Sequence, residues 1–300
     1  MEKIQQKISI LHLITPAKNA SPFDVNMAFD AGFNQVMPYT NVTLNEVTAL
    51  TQDAIFSRSP SGVRREGIFI GGRDIDLAMQ MLDASKKVMF APFACSVFAD
   101  PSGAFTTAAA MVAKVKWHLN QHFSENLAGK TVSVFGGGPV GACAAIIAAK
   151  QNAKVQLVAH KSIVDLAQKV QVWNALYQLN MQVVDGTSEA NKDAVLAHTN
   201  IAFCAASAGV CVLTKAQIAQ AKHLKIIADV NAVAPTGAEG VDVMTDGVVI
   251  AETKIIGIGA LAIGNLKYAT QHNLLKQMLA AEKPCYLELM AAFEMARSLI

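Results

Sequence analysis

The stretch that most constrains this chain is residues 131–141, TVSVFGGGPVG, where an apolar strand pattern runs into a glycine turn and then into a helix. Val132, Val134 and Phe135 supply the strand, and Gly136, Gly138 and Gly141 fall at the G-x-G-x-x-G spacing. Each glycine has its own physical task. The first permits a tight turn, the second lets the backbone approach a pyrophosphate, and the third lets the helix pack closely on the strand. The unpaired N–H groups of the helix start, reached through Pro139 and Val140, then face the anion. The spacing alone is weak evidence. A strand before it, an unbroken Ala/Ile-rich helix over 142–150 after it, and a second strand pattern at 153–159 (AKVQLVA) raise it to a dinucleotide site. The alternative is a glycine turn that binds nothing.

Strand-like and helix-like runs alternate along the whole chain, the pattern of parallel βαβ units, so the fold class expected is α/β. Strands are expected over 7–14, 34–39 and 68–72, with helices capped by Ser21, by a Thr43/Glu46 capping box and over 74–87. Residues 88–99 are apolar but irregular, and Pro92 argues against a clean central strand there. The turn cluster Asp100-Pro101-Ser102-Gly103 precedes a long helix over 106–123. Beyond it come five or six strands of a Rossmann-type doubly wound sheet, then helical segments over 264–281 and 285–300 that return to the first domain. The domains expected are 1–105 with 270–300, and 106–269 as the NAD(P)-binding part. Across 300 residues, 52% apolar and 16% charged composition describes a compact globular chain with a sizeable core. A net charge of +2 with scattered basic residues gives no footprint for nucleic acid. The N-terminal apolar run alternates with polar residues and lacks a cleavage site, no segment has the length to span a bilayer, and the five cysteines show no paired spacing. A cytoplasmic protein with reduced thiols, bound to neither membrane nor metal, is expected.

The residues after the second nucleotide-half strand are His160-Lys161-Ser162, where NAD-specific sites commonly carry a carboxylate. A cation and a hydroxyl suit a 2′-phosphate, so NADP, or NADP and NAD together, is favoured over NAD alone. His118 and His122 are four apart without the glutamate or third ligand of a zinc site, and read as a solvated helix face. Three further stretches look too specific to be only structural: residues 105–110 (FTTAAA) put two hydroxyls at a helix start, Ala228-Asp229-Val230-Asn231-Ala232 puts polar residues at a strand end where ligands lie, and residues 257–267 (GIGALAIGNLK) end a strand in glycines and carry one lysine into the next helix. Taken singly, each also reads as a capped helix, a capped strand end or a surface lysine.

Together with Ser21-Pro22-Phe23-Asp24-Val25, the Ile70-Gly71-Gly72 turn and the Gly136 to Gly141 fingerprint, these stretches resemble the bacterial NAD(P)-dependent methylene-tetrahydromethanopterin dehydrogenases over essentially the whole chain, closest to the branch that accepts both cofactors. The resemblance implies oxidation of the methylene bridge to methenyl in formaldehyde oxidation, kinship in fold to methylene-tetrahydrofolate dehydrogenases, and a homo-oligomer, with a trimer the size expected. It puts the family's active-site lysine on Lys267, its threonine on Thr107 and its pterin-contacting phenylalanine on Phe23. It also implies pterin contacts from Asp24, Asp100 and Gln271, and cofactor contacts from Ala206, Asp229, Asn231 and Gly259 beside those above. Gln271 departs from the histidine of the strictly NADP-dependent branch. The active site is expected in the cleft between the domains. Hydride leaves a carbon whose two flanking nitrogens stabilise the resulting cation, so positioning is the main task and no general base is required. Lys267 is therefore expected to hydrogen-bond an oxygen of pterin or nicotinamide, or to have a lowered pKa, and not to act as an obligatory base, with Thr107 orienting the ligand and Phe23 packing on it. The competing readings are a methylene-tetrahydrofolate dehydrogenase, against which no Tyr-x-x-x-Lys pair appears in the first domain, and a non-catalytic NAD(P) sensor.

Overall fold

The computed structural model describes residues 7–300; the first six residues of the N-terminal reading lie outside the described part. The chain divides into two compact units, the described residues of Met1–Thr106 with Tyr268–Met295, and Thr107–Lys267 with Ala296–Ile300.

The first unit runs β1 (Ile10–Ile14), α1 (Pro22–Asp30), β2 (Gln35–Tyr39), α2 (Leu44–Phe56), a short α3 (Pro60–Val63), β3 (Glu66–Ile70), α4 (Ile75–Lys87) and β4 (Ser96–Ala99). Its helix starts follow from local chemistry. The Ser21 hydroxyl accepts from the Asp24 N–H with Pro22 in the first turn, and the Asp74 carboxylate accepts from Asp76 N and Leu77 N. Glu46 accepts from both the N–H and the hydroxyl of Thr43, each at 2.7 Å.

The second unit holds most of α5 (Ala104–Phe123), then β5 (Thr131–Phe135), α6 (Pro139–Lys150), β6 (Lys154–Ala159), α7 (Ile163–Tyr177), β7 (Gln182–Asp185), α8 (Glu189–Leu196), β8 (Ile201–Cys204), α9 (Lys215–Gln220), β9 (Ile226–Asp229), β10 (Asp246–Val249) and β11 (Ile256–Ile258). The chain then continues through α10 (Ala260–Ala280), β12 (Tyr286–Leu287) and α11 (Leu289–Ser298). Sheet order is β12-β4-β3-β1-β2 in the first unit and β10-β11-β9-β8-β5-β6-β7 in the second. All pairings are parallel except β10 with β11. Strands β3, β4, β8 and β9 are buried along their whole length, as central strands covered on both faces must be.

Three local expectations are corrected, and two short elements are added. The irregular run at 88–99 ends in an interior strand, β4, because Pro92 lies four residues before the strand and costs it no ladder bond. The segment 285–300 is not helical throughout, since β12 first extends the sheet beside β4, with the Val97 N–H donating to the Cys285 carbonyl. Strand β10 and helix α3 are too short to carry a readable period. Finally, His118 does not face solvent. It is 4% exposed, and Nε2 lies 2.9 Å from Asp246 Oδ1, because β10 packs on α5 where Gly247 has no side chain; a Cβ there would sit 2.0 Å from the imidazole.

At the opposite end of the first sheet from the strand C-termini, Glu66 is buried with Arg58 Nη1 at 3.4 Å. Burial pushes its carboxyl up to about 6 against the opposing pull of Arg58. A raised carboxylate pKa means the fold disfavours the charge, so this cost is absent below pH 4.5, grows up to about pH 6 and is constant above. The stability difference between Glu66→Gln and the unmodified protein should therefore shift in favour of the variant by about 2 kcal/mol between pH 4.5 and 7.5. Denaturant melts at the two pH values measure it; a difference independent of pH would contradict it.

Candidate active site

The glycine turn separates into positions the backbone requires and one it does not. Gly136 has φ +124°, and a Cβ there would lie 2.3 Å from the Ala205 carbonyl oxygen. At Gly141 a Cβ would lie 1.9 Å from the Gly136 carbonyl oxygen, so only glycine lets α6 lie this close to β5. Gly138, the N-cap of α6, has φ −75° and ψ −178°, open to any residue, and a Cβ there would meet nothing within 4 Å. It borders two cavities. One of about 520 Å³ is lined among others by Gly136, His160, Lys161, Ala206 and Lys192. The other, of about 330 Å³, is lined by His160, Lys161, Ser162, Asp165 and Lys169. The C-terminal ends of β5, β6 and β8 thus gather most of the expected cofactor residues, with Pro139, Val140 and Gly141 following in the first turn of α6. Open space over Gly138, beside the unpaired N–H groups of a helix start, fits a dinucleotide pyrophosphate.

Three residues expected to touch the cofactor also hold the scaffold. The Asp229 carboxylate is buried and accepts from Asn231 N (2.9 Å) and Ala238 N (3.1 Å), and burial raises its pKa against those bonds. Asn231, also buried, accepts from Gly209 N and Val233 N and donates to the Pro235 carbonyl. Gly259 is glycine because a Cβ would lie 2.1 Å from the Asp242 carbonyl oxygen. All three are fixed by buried backbone that needs partners or room.

In the first unit, Gln271 and Asp24, 247 residues apart in sequence, are brought together. Gln271 Nε2 donates to Asp24 Oδ1 at 2.9 Å with both side chains buried, while the neighbouring Phe23 is 44% exposed. Asp100, expected beside the pterin, is 0% exposed and accepts from Phe105 N (2.9 Å), Thr106 N (3.2 Å) and Thr106 Oγ1 (2.6 Å). It caps the start of α5, which sets the position of Thr107 on the next residue. Thr107 and Lys267 are half-buried, on α5 and α10 of the second unit.

Asp165, Lys169 and Lys192 also line these cavities, and no motif in the sequence marks them as ligands. A signal existed for two of them: Ser162, Asp165, Leu166 and Lys169 recur at i, i+3, i+4 and i+7, which is one helix face. What the sequence does not show is which face of α7 meets the glycine turn.

A parallel sheet with crossover helices and a strand-end glycine turn opening on a cavity defines a Rossmann-type nucleotide-binding α/β protein. Residues 22–102 match the family described as methylene-tetrahydromethanopterin dehydrogenase, N-terminal. The chain is 44% identical to the NAD(P)-dependent methylenetetrahydromethanopterin dehydrogenase of Methylorubrum extorquens over 96% of its own length and 97% of that protein's. It is 31% identical to the bifunctional protein MdtA of the same organism over 82% of this chain and 84% of that one. Among solved structures, ornithine carbamoyltransferase from Pyrococcus furiosus covers 92% of this chain and 87% of its own at 12% identity and a TM-score of 0.51, a likeness of fold alone. The chain belongs to the NAD(P)-dependent methylenetetrahydromethanopterin dehydrogenase family. None of its described helices is long and apolar enough to cross a membrane.

Proposed function

We propose that this protein oxidises the methylene bridge of methylene-tetrahydromethanopterin to the methenyl form with NADP or NAD, in the cytoplasmic oxidation of formaldehyde-derived one-carbon units. End-to-end identity of 44% with a dehydrogenase of that name supports the substrate class. The observation that carries the cofactor part is Gly138, a glycine that neither its own φ nor its packing requires, at the lip of two cavities.

In this reading the helix-start N–H groups of α6 hold the pyrophosphate, and His160, Lys161 and Ser162 hold the adenosine ribose and its 2′-phosphate. Ser162 Oγ accepts from Asp165 N at 3.2 Å, which leaves its O–H to donate outward. When bound, the nicotinamide accepts the hydride. Phe23 packs on the pterin, Asp24 and Gln271 offer it a fixed polar pair, Thr107 orients it, and Lys267 donates to an oxygen of pterin or nicotinamide without acting as a base. Asp100, Asp229, Asn231 and Gly259 are positioning residues. A homo-oligomer, a trimer by resemblance, belongs to the same proposal.

Mixing purified protein with NADP or NAD and either methylene-tetrahydromethanopterin or methylene-tetrahydrofolate, and following the absorbance of the reduced nicotinamide, tests it. Reduction of both dinucleotides with the methanopterin substrate is expected. Reduction with the folate alone would support the folate reading, and dinucleotide binding without turnover on either substrate would support the sensor.

A further inference from the structure

The smaller cavity beside Gly138 carries opposite charges that the His160-Lys161-Ser162 stretch does not reveal. Asp165 lies in the first turn of α7 and Lys169 one turn further along the same face, and both line this cavity with Lys161. An acid followed by a lysine at i+4 is the spacing at which helix ion pairs form. Yet among the described residues neither side chain takes part in an ion pair, and both are exposed at the cavity. An acidic residue in the first helical turn also complements the helix dipole, which is the purely structural account of Asp165. That account gives Lys169, in mid-helix, no role.

We propose that Asp165 and Lys169 together set the tolerance of this subsite for both dinucleotides, Lys169 joining Lys161 on the 2′-phosphate of NADP and Asp165 accepting from the ribose hydroxyls of NAD. The inference rests on the dinucleotide reading of the glycine turn. The chemistry of the two ligands differs at one place, a dianionic phosphate against a hydroxyl. The phosphate needs donors and positive charge, and the hydroxyl is best held by a carboxylate. A subsite with either feature alone excludes or weakens one ligand. Here the strand end supplies the cation, Lys161, and the helix supplies both the second cation, Lys169, and the carboxylate, Asp165. The carboxylate repels the phosphate in part, so the second lysine offsets it, and the result is a site that takes both forms with neither strongly preferred.

Fluorescence titration of NADPH and NADH into the purified full chain tests this without any turnover. Lys169→Gln should weaken NADPH by roughly tenfold while moving NADH by less than about twofold, the loss expected of one charge-assisted contact. Asp165→Asn should do the reverse, weakening NADH by roughly tenfold and leaving NADPH unchanged or tighter. Asp165→Glu, which keeps the carboxylate at the helix start, should retain most of the NADH affinity. Thermal melts of the three variants separate folding from recognition. Equal changes for both dinucleotides in each variant, or no change in either, would overturn the inference while leaving the dinucleotide site intact. Failure of the unmodified protein to bind NADH and NADPH would overturn the dinucleotide reading itself, and this inference with it.

Discussion

Gly138→Ala should fold like the unmodified protein and lose dinucleotide affinity by on the order of 100-fold, equal to about 2.7 kcal/mol. The expectation comes from what the added methyl meets. Beyond its own chain neighbours no part of the protein lies within 4 Å of it, and φ −75° suits alanine, so the folded state gains no strain. The small cost is that alanine caps a helix start less well than glycine. The methyl instead enters the space above the helix-start N–H groups, where a pyrophosphate has to come close to use them. Gly136→Ala serves as the contrast. There the methyl lies 2.3 Å from a backbone oxygen at φ +124°, and the variant should lose about 3 kcal/mol or more of stability whether or not a ligand binds. Melting curves and NADPH titrations on both variants resolve the two roles. Full NADPH affinity in a folded Gly138→Ala would contradict the assignment.

Lys267→Met should reduce kcat by roughly 100-fold or more and leave dinucleotide affinity within about twofold, the pattern of an interaction made in the transition state and not in the binding of cofactor. Methionine keeps the unbranched length of the side chain and removes only the donor and its charge. Because the methylene carbon's own nitrogens stabilise the cation, Lys267 has no proton to remove, and its effect is to hold one ring against the other. Loss of that hold should lower kcat without introducing a new titration into the rate between pH 6 and 8, as no base is taken away. Stopped-flow turnover with NADP, alongside NADPH titration, measures both quantities. Full turnover would remove Lys267 from the site.

Much of this was legible in the sequence for identifiable reasons. The Ser21 cap and the Thr43/Glu46 capping box are local bonds between neighbours, so spacing alone predicts them. Gly141 lets α6 close on β5 within one strand-turn-helix, the contact the motif implies, whereas Gly136 is fixed by the Ala205 carbonyl just past the end of the neighbouring strand β8. What sequence could not show depends on distant partners. Asp229 reads as a ligand at a strand end until the loop through Ala238 folds back and takes its carboxylate, and Asp100 reads as a turn residue until α5 begins on it. His118 looks solvated until β10, 128 residues away, covers it. The pairing of Asp24 with Gln271 joins residues 247 apart, and no periodicity reports such a contact. Asp165 and Lys169 were spaced for one face, but only the packing of α7 shows that this face meets the cavity.

The central claim, hydride transfer from the methylene bridge to a dinucleotide seated on the glycine turn, is tested most directly by isotope. Methylene-tetrahydromethanopterin with both hydrogens of the bridge carbon replaced by deuterium, turned over with NADP by the purified protein, should yield NADPH with one deuterium at nicotinamide C4, read by NMR, and none in solvent. Reduced cofactor without deuterium at C4, or label released to water, would contradict it.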